Sequence, residues 1–286
     1  MKLLEVQHLY KNYGDFQLED VSFSLPKGFI MGYIGENGAG KTTTLNLITH
    51  LCRADSGTIT IDGISYEEKP KQFLESIGFI GDESYFPGEF RLNDIRSVLK
   101  MMYPSFQEEK FNTLVTDWKL PSKTKIQDYS RGMRVKLMFA SVLSRDTKLL
   151  ILDEATNGLD PVIRSEIIEM LQDYIMDGEH SILFSTHVLS DLEQIADYII
   201  FIHNGKILLN ETKEELLETY VMVHGALSDL TEEKEKKIIG ITKAAYGFDG
   251  ILSSADAEGF GSEFVLEKAN IDQIMIHLIK NGGNSR

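Results

Sequence analysis

The sequence predicts an α/β fold with a mainly parallel sheet covered by helices, a helical insertion and a small α+β appendix. Three observations lead to this prediction. Short apolar runs at 29–34, 149–153 and 181–186 alternate with stretches of helical periodicity. The pattern from about 92 to 145 is mostly helical. After about residue 218 the alternation stops, and charged and strand-like segments follow.

The N-terminal part of the chain predicts strands around one glycine-rich turn. Strands are expected at 3–9 and 18–25, and the turn Pro26–Gly28 ends the second. The apolar run 29–34 predicts another strand, which opens into GENGAGKTTT before a helix-like stretch at 45–51. Residues 54–63 combine a loop, a strand and a turn.

The remaining segments divide the chain into two expected domains, 1–218 and 219–286. The first contains the helical insertion at about 85–145, a buried strand at 149–153, helices at 161–177 and 189–196, and strands at 181–186 and 198–203. The second is expected to serve in regulation or dimerisation. It has a charged helix face at 231–237, strands within 247–252 and 261–268, and a last helix at 271–280. The apolar stripe of that helix is expected to pack on the small sheet.

Composition limits the classes of function that this chain can have. It has 286 residues and a formal net charge of −15, which argues against a broad nucleic-acid or anionic-lipid surface. Cys52 is the one cysteine, so no internal disulfide can form, and we expect it to be buried in a reducing compartment. The N-terminus lacks a signal-peptide pattern. No apolar run reaches the roughly 18 residues of a membrane helix, so work at a membrane would need another chain to span it.

The strongest motif is GENGAGKTT at residues 35–43, which matches G-x-x-x-x-G-K-[ST] between a strand and a helix. Its residues are Gly35, Glu36, Asn37, Gly38, Ala39, Gly40, Lys41, Thr42 and Thr43. Glycines let successive backbone N–H groups surround phosphates, and the following helix points its positive end at the same anion. Lys41 is expected to reach the β- and γ-phosphates, and the Thr42 hydroxyl to bind Mg²⁺.

Polar residues at the ends of two further strands fit the same chemistry. Asp153 ends the buried strand LLILD, where it can hold Mg²⁺, and Glu154 follows as a candidate general base. His187 follows the strand SILFST, and its imidazole could contact the γ-phosphate. A histidine alone is more often structural, so the position at a strand end is what makes His187 a candidate.

Together these motifs resemble the ATPase subunit of an ATP-binding cassette (ABC) transporter over about residues 2–220. The resemblance identifies GENGAGKTT as Walker A, LLILDE as Walker B, Asn157–Asp160 as the D-loop and His187 as the switch histidine. It also implies that Tyr13 stacks on adenine, which suits a flat base. The overall pattern is similar to exporter ATPases of Gram-positive bacteria that expel antimicrobial or amphipathic peptides.

The family's signature, usually Leu-Ser-Gly-Gly-Gln, corresponds to Tyr129–Met133. Ser130 and Gly132 match, whereas Arg131 replaces a glycine and Met133 a glutamine. By resemblance, this segment binds the γ-phosphate of ATP on a facing subunit, so each nucleotide lies between two chains. Ala155 also replaces the usual proline after the Walker B glutamate.

The family's Q-loop glutamine has no match here, and Asp82 occupies the nearest position. Two readings stay open. Its carboxylate could contact Mg²⁺ or its water, or Asp82 could be an exposed surface acid.

The resemblance implies a cytoplasmic ATPase attached to the membrane through a separate transmembrane permease, with ATP and Mg²⁺ as cofactors and no nucleic-acid partner. The second ATPase subunit would be identical or homologous. The Met- and aromatic-rich segment 90–106 is a candidate docking surface for the permease, although ordinary helix packing would also account for it. Alternatives are a weakly hydrolysing regulatory subunit and a non-transport ABC ATPase. A GTPase is disfavoured because the sequence has no Asn-Lys-x-Asp motif.

Overall fold

The structure is a computed structural model that describes residues 1–283. The strands in this range are β1 (Lys2–Asn12), β2 (Gln17–Pro26), β3 (Ile30–Ile34), β4 (Ser56–Ile61), β5 (Ile64–Ser65), β6 (Ile77–Ile80), β7 (Leu149–Asp153), β8 (Ser181–Ser185), β9 (Tyr198–His203), β10 (Lys206–Thr212), β11 (Tyr220–Gly225), β12 (Ile239–Ala244), β13 (Gly247–Ser253) and β14 (Val265–Lys268).

The helices are α1 (Lys41–Ile48), α2 (Pro70–Glu75), α3 (Leu92–Met102), α4 (Glu108–Asp117), α5 (Arg131–Leu143), α6 (Pro161–Ile175), α7 (Leu189–Ile195), α8 (Lys213–Thr219), α9 (Glu232–Glu235), α10 (Ser254–Ala257) and α11 (Ile271–Gly283). Short 3₁₀ turns lie at Ile126–Asp128 and Leu227–Asp229.

A six-stranded sheet with the order β10-β9-β3-β8-β7-β6 forms the centre of the molecule. Strands β9, β3, β8, β7 and β6 are mutually parallel, and β10 adds to the edge of β9 as an antiparallel hairpin. The carboxyl ends of the parallel strands therefore meet at one edge, where ligands of open α/β sheets usually bind.

The prediction of a mainly parallel sheet is confirmed for this central sheet, but the N-terminal strands do not join it. They form a separate four-stranded antiparallel sheet with the order β2-β1-β4-β5. The strands β1 and β2 are long enough to pair along most of their length, and their buried faces pack on the central sheet. The helix predicted at 45–51 begins four residues earlier, at Lys41.

Alternating side chains of the central strands fill two separate cores, as the period-2 geometry of strands requires. Ile30, Leu150 and Leu152 face the core shared with helices α5 to α7. Met31, Tyr33 and Leu149 face the core shared with the antiparallel sheet and α1. This two-sided burial explains why these strands are continuous apolar runs.

Residues 92–143 form the expected helical insertion, with α3, α4 and α5 packed around a core of their own. Leu92, Ile95 and Leu99 of α3 are buried in it, whereas Met101 and Met102 are exposed. The α5 helix returns the chain to the central sheet, where Val142 packs against β6.

The C-terminal region forms a small sheet of order β12-β13-β11-β14 with α11 beside it. Strands β13 and β14 correspond to the two that the sequence predicts, and the charged run 231–237 contains the short helix α9. Strands β11 and β12 were not predicted. The apolar stripe of α11 packs on the small sheet as expected, but Ile271 and Ile274 also join the core of the central sheet.

Candidate functional site

The Walker A loop leaves β3 at Ile34 and enters α1 at Lys41. Gly40 is the residue before the helix and has φ +113°, a conformation that side chains rarely adopt. A Cβ at Gly35 would lie 2.3 Å from the Ile202 carbonyl oxygen, so only glycine lets the loop start this close to β9. Asn37 and Gly38 are exposed at the tip of the loop, Ala39 is buried, and Thr43 is half-buried.

Lys41 folds back onto its own loop. Its Nζ donates to the carbonyl oxygens of Gly35 at 2.7 Å and Glu36 at 3.1 Å. Burial lowers the pKa of Lys41, while the charges of Glu154, Asp153 and Glu36 oppose this shift. The Glu36 carboxylate itself lies 3.1 Å from His203 Nδ1 at the end of β9. The ammonium group is therefore in a polar cradle that phosphate oxygens could also occupy.

Thr42 and Asp153 are brought together from opposite sides of the site. The Thr42 hydroxyl donates to Asp153 Oδ2 at 3.1 Å. The other oxygen, Asp153 Oδ1, is buried and has no hydrogen-bond partner within residues 1–283. Burial raises the pKa of Asp153, and the hydroxyl groups of Thr42 and Ser185 act in the opposite direction.

This pair fits magnesium, which commonly takes one carboxylate together with hydroxyl, phosphate and water oxygens. An unpartnered buried carboxylate oxygen is what a cation would satisfy. No group of three or more His, Cys, Asp or Glu side chains within residues 1–283 could hold a metal by itself. Phosphate and water oxygens would therefore have to supply the remaining ligands.

Glu154 and His187 are in direct contact. His187 Nδ1 lies 2.6 Å from Glu154 Oε2, and the His187 backbone N–H is 3.4 Å from the same oxygen. Glu154 has φ +57°, uncommon for a residue with a side chain, and its N–H donates to the Ser185 carbonyl at 2.9 Å. The strained turn aims the carboxylate away from β7 and towards the end of β8.

A buried network behind Glu154 was missed by sequence reasoning. Asp191 of α7 accepts a hydrogen bond from Thr156 at 2.9 Å and from Arg164 Nε at 2.6 Å. Asp191 therefore links the segment that follows Glu154 to the helix that follows His187. This link helps to position the Glu154 and His187 side chains. Nothing in the sequence SDLEQI distinguishes Asp191 from an ordinary helical acid, since its partners are distant in sequence.

The D-loop residue Asp160 caps α6. Its Oδ1 accepts hydrogen bonds from the backbone N–H groups of Val162 and Ile163, both at 3.1 Å, and Pro161 takes the first helical position. This cap fixes the direction of the end of the loop between Glu154 and α6, where Gly158 and Asp160 are exposed.

The signature segment starts α5. Ser130 is the N-cap, and its hydroxyl oxygen accepts from the Met133 N–H at 3.2 Å. Ser130 is exposed, Gly132 lies against Ile163 of α6, and Met133 packs partly into the core of the helical insertion. The helix therefore begins at Arg131, and its polar start faces outwards.

Asp82 follows β6 at the same edge of the sheet as the other candidates. Its carboxylate forms an ion pair with Arg131, the signature residue that replaces a glycine. Asp82 is thus an exposed acid with a specific partner, and its contacts in the structure are with Arg131 rather than with Thr42 or Asp153.

Tyr13 lies in the loop between β1 and β2, with its ring half-exposed and its hydroxyl donating to Cys52 Sγ at 3.5 Å. The exposed ring is available for stacking on a base. The expectation of a buried cysteine is wrong, because Cys52 is partly exposed beneath Tyr13.

The site thus joins four motifs that lie far apart in sequence, at the adjacent ends of β3, β8, β7 and β6. Comparison with known proteins agrees with this geometry: residues 18–157 match the family model described as ABC transporter. A lantibiotic transport ATP-binding protein of Streptococcus pyogenes is 34% identical over 77% of this chain and 98% of its own length. The chain belongs to the ABC transporter ATP-binding family.

Two further relatives and one solved structure are also similar to this chain. An ABC transporter ATP-binding protein of Bacillus subtilis, YtrB, is 29% identical over 90% of this chain and 88% of its own. A bacitracin transport ATP-binding protein of Enterococcus faecalis is 33% identical over 75% of this chain and 70% of its own. The solved structure of an ATP-binding subunit of an ABC transporter covers 75% of this chain and 91% of its own, with 28% identity and a TM-score of 0.69.

This ABC protein is therefore an ATP-binding subunit of a family that hydrolyses ATP in transport. The predicted P-loop and fold class are confirmed. None of the helices within residues 1–283 has the length and apolar content that a bilayer crossing requires.

Proposed function

We propose that this chain hydrolyses Mg-ATP as one of two paired ATPase subunits and thereby drives export through a separate transmembrane permease. The observation that carries the proposal is the set of polar groups at one sheet edge: Lys41, Thr42, Asp153, Glu154 and His187. A chain that bound nucleotide only for regulation would not need a carboxylate held by a histidine beside the phosphate loop.

In the proposed reaction, Glu154 accepts a proton from the attacking water. The water oxygen forms a bond to the γ-phosphorus, the bond to the β–γ bridging oxygen breaks, and ADP and phosphate leave. Lys41 would turn from its loop carbonyls to the phosphate oxygens, and the backbone N–H groups of residues 35–43 would surround them. Magnesium, when bound by Thr42 and Asp153, would neutralise developing negative charge on the phosphates.

His187 would orient Glu154 before the reaction and contact the γ-phosphate during it. The 2.6 Å contact between the two side chains supports the first role. Its exposed ring is able to turn from the carboxylate to a phosphate oxygen without opening the core.

The pairing of two chains rests on the start of α5. Ser130 caps an exposed helix start that has no acid in its first turn, so no carboxylate of that turn opposes the attraction of the helix dipole for an anion from a facing chain. The Asp160 cap fixes the end of the D-loop, and the exposed residues Gly158 and Asp160 could contact the same facing chain.

A groove between the helical insertion and the central sheet is the candidate contact with the permease. It has a volume of about 600 Å³ and is lined mainly by apolar side chains, including Leu51, Leu74, Tyr85 and Met102. These side chains are exposed although large and apolar, which is typical of an interaction surface. A short apolar helix of the permease would fit this groove, and such attachment would place the chain on the cytoplasmic face of the membrane.

An amphipathic or antimicrobial peptide is the proposed cargo. The names of the lantibiotic and bacitracin transport relatives support it. Stimulation of ATP hydrolysis in the reconstituted complex by a lantibiotic tests this; equal stimulation by a small hydrophilic compound would contradict it.

The pairing is tested with Glu154→Gln, which removes the proposed base but keeps the shape of the side chain. Light scattering with Mg-ATP should show a shift from monomer to dimer, because hydrolysis no longer separates the chains. Adding Lys41→Met, which removes the phosphate-binding ammonium, should keep the protein monomeric. A Glu154→Gln protein that binds ATP and stays monomeric would contradict pairing of identical chains and point to a different ATPase partner.

A further inference from the structure

Arg131 links three segments of the site. Its guanidinium forms an ion pair with the Asp82 carboxylate, and its Nη2 lies 3.5 Å from the Asp82 carbonyl oxygen. Asp82 follows β6, and Arg131 is the first residue of α5. The pair therefore connects the start of the signature helix to the loop that leaves the central sheet.

The Arg131 side chain also lies across the D-loop. A Cβ at Gly158 would be 3.5 Å from Arg131 Nε and 3.7 Å from its Cζ, so the Arg131 guanidinium lies close to the backbone of Gly158. Gly158 has φ +63°, a backbone conformation that favours glycine. The cation is thus held at the surface where Ser130 and Asp160 lie.

Asp82 and Arg131 are complementary departures from the family pattern. Both depart from the family pattern of a glutamine and a glycine, and the two departures introduce opposite charges that meet. Arg134, the other cation near this helix start, donates to the backbone carbonyls of Tyr129 and Gln127 instead. Of these two arginines at the helix start, Arg131 pairs with an ionisable side chain, whereas Arg134 binds backbone carbonyls.

The pair is weak enough to be replaced. Arg131 and Asp82 keep 41% and 46% of their side chains exposed, and exposed ion pairs contribute little because water screens them. A triphosphate carries more negative charge than one carboxylate, and a guanidinium binds phosphate oxygens in a bidentate geometry. A triphosphate presented at the start of α5 would compete successfully for Arg131.

We infer that Arg131 exchanges partners during the ATP cycle. In the nucleotide-free chain it pairs with Asp82, and when two chains close it binds the triphosphate held by the facing chain. This inference rests on the proposed pairing of chains. Asp82 then acts as an internal competitor of ATP, so it weakens closure, while Arg131 strengthens it.

The test is a double-mutant cycle in the Glu154→Gln background, with the dimer dissociation constant in Mg-ATP as the readout. Asp82→Asn should tighten the dimer about two- to fivefold, the range expected for loss of an exposed competing pair. Arg131→Gly should weaken the dimer. In the Arg131→Gly protein, the further change Asp82→Asn should have no effect, because its competitor role needs Arg131.

Glu83→Gln serves as the matched control, since it removes the neighbouring exposed acid and should leave the dimer unchanged. Equal dissociation constants for Asp82→Asn and its parent would overturn the exchange, as would an Asp82→Asn effect that persists without Arg131. A parent that binds ATP yet stays monomeric would overturn the pairing of identical chains and the exchange together. A dimer whose dissociation constant does not change with Asp82→Asn would overturn the partner exchange but leave the pairing of chains intact.

Discussion

Burial raises the pKa of Asp153, so the charged form of this side chain destabilises the free chain. Its Oδ1 has no hydrogen-bond partner within residues 1–283, and removing a carboxylate from water without pairing it is unfavourable. The same unpaired oxygen is suited to a cation. The residue thus combines a local loss of stability with its proposed role as a magnesium ligand.

Asp153→Asn should stabilise the free chain by about 1 kcal/mol at neutral pH, since the amide removes a buried charge. The sign follows from the raised folded-state pKa: stability linked to Asp153 is present below the ordinary aspartate range near pH 4. It is lost as the pH rises through the raised value. The difference between variant and wild type should therefore grow from acid to neutral pH.

Thermal unfolding of both proteins between pH 4 and 7, without nucleotide or magnesium, measures this difference. Other acids whose pKa is lowered by ion pairs, such as Asp62 and Asp177, change both proteins equally and cancel. The variant should also lose the extra stabilisation that Mg²⁺ adds to the ATP complex. A variant less stable than wild type at pH 7 would contradict the assigned role of burial.

At the scale of elements, α3 has two faces with different roles. Leu92, Ile95 and Leu99 fill the core of the helical insertion, while Met102 at its end lines the groove beside Leu74 and Tyr103. Segment 90–106 is therefore partly ordinary core and partly an exposed apolar surface, and its docking role stays a prediction.

Met102→Asp should reduce stimulation of ATP hydrolysis by the reconstituted permease several-fold, because a carboxylate in an apolar interface is costly to desolvate. Its ATP hydrolysis without the permease should stay within twofold of wild type. Met176→Asp is the matched control: Met102 is 60% exposed and Met176, at the end of α6, is 80% exposed. Full stimulation of the Met102 variant would exclude the groove as the docking site.

At the scale of the whole molecule, α11 joins the C-terminal region to the central sheet. Ile271 and Ile274 share a core with Ile34, Ile199 and Phe201. Met275 and Leu278 contact the same core from the next turn of the helix. The division at residue 218 therefore stays a proposal about function, whereas in packing the two regions share one core.

Ile274→Ala should lower the free energy of unfolding by about 2–4 kcal/mol, since it leaves a cavity at this junction. Ile276→Ala should change it by less than about 1 kcal/mol. Ile274 is 1% exposed and Ile276 is 39% exposed, and both lie in α11. The two variants change helix propensity equally, so the difference between them measures the effect of burial. Urea denaturation provides the values, and equal losses would argue against the shared core.

Deletion of residues 221–286 is expected to leave the phosphate-binding residues in place but to expose the apolar faces of β3 and β9. Nucleotide binding should persist only under conditions in which the shortened chain stays folded.

The sequence by itself determined the elements whose patterns are local. Lys41 and its glycines, the buried strands at 149–153 and 181–185, and the amphipathic α11 each follow from periodicity or motif spacing within a few residues. The order of these motifs also predicted the family correctly. Polar groups at several strand ends predicted that these groups would lie near one another, because parallel strands must bring those ends to one edge.

Only the tertiary structure decided which distant residues meet. The pairing of Arg131 with Asp82 and the burial of Asp191 between Thr156 and Arg164 join residues more than 25 positions apart. Two larger features also join segments that are distant in sequence. They are the antiparallel sheet of β1, β2, β4 and β5 and the contact of α11 with the central core. Local sequence patterns report which side of an element is apolar, but the partner of that side is set by packing of the whole chain.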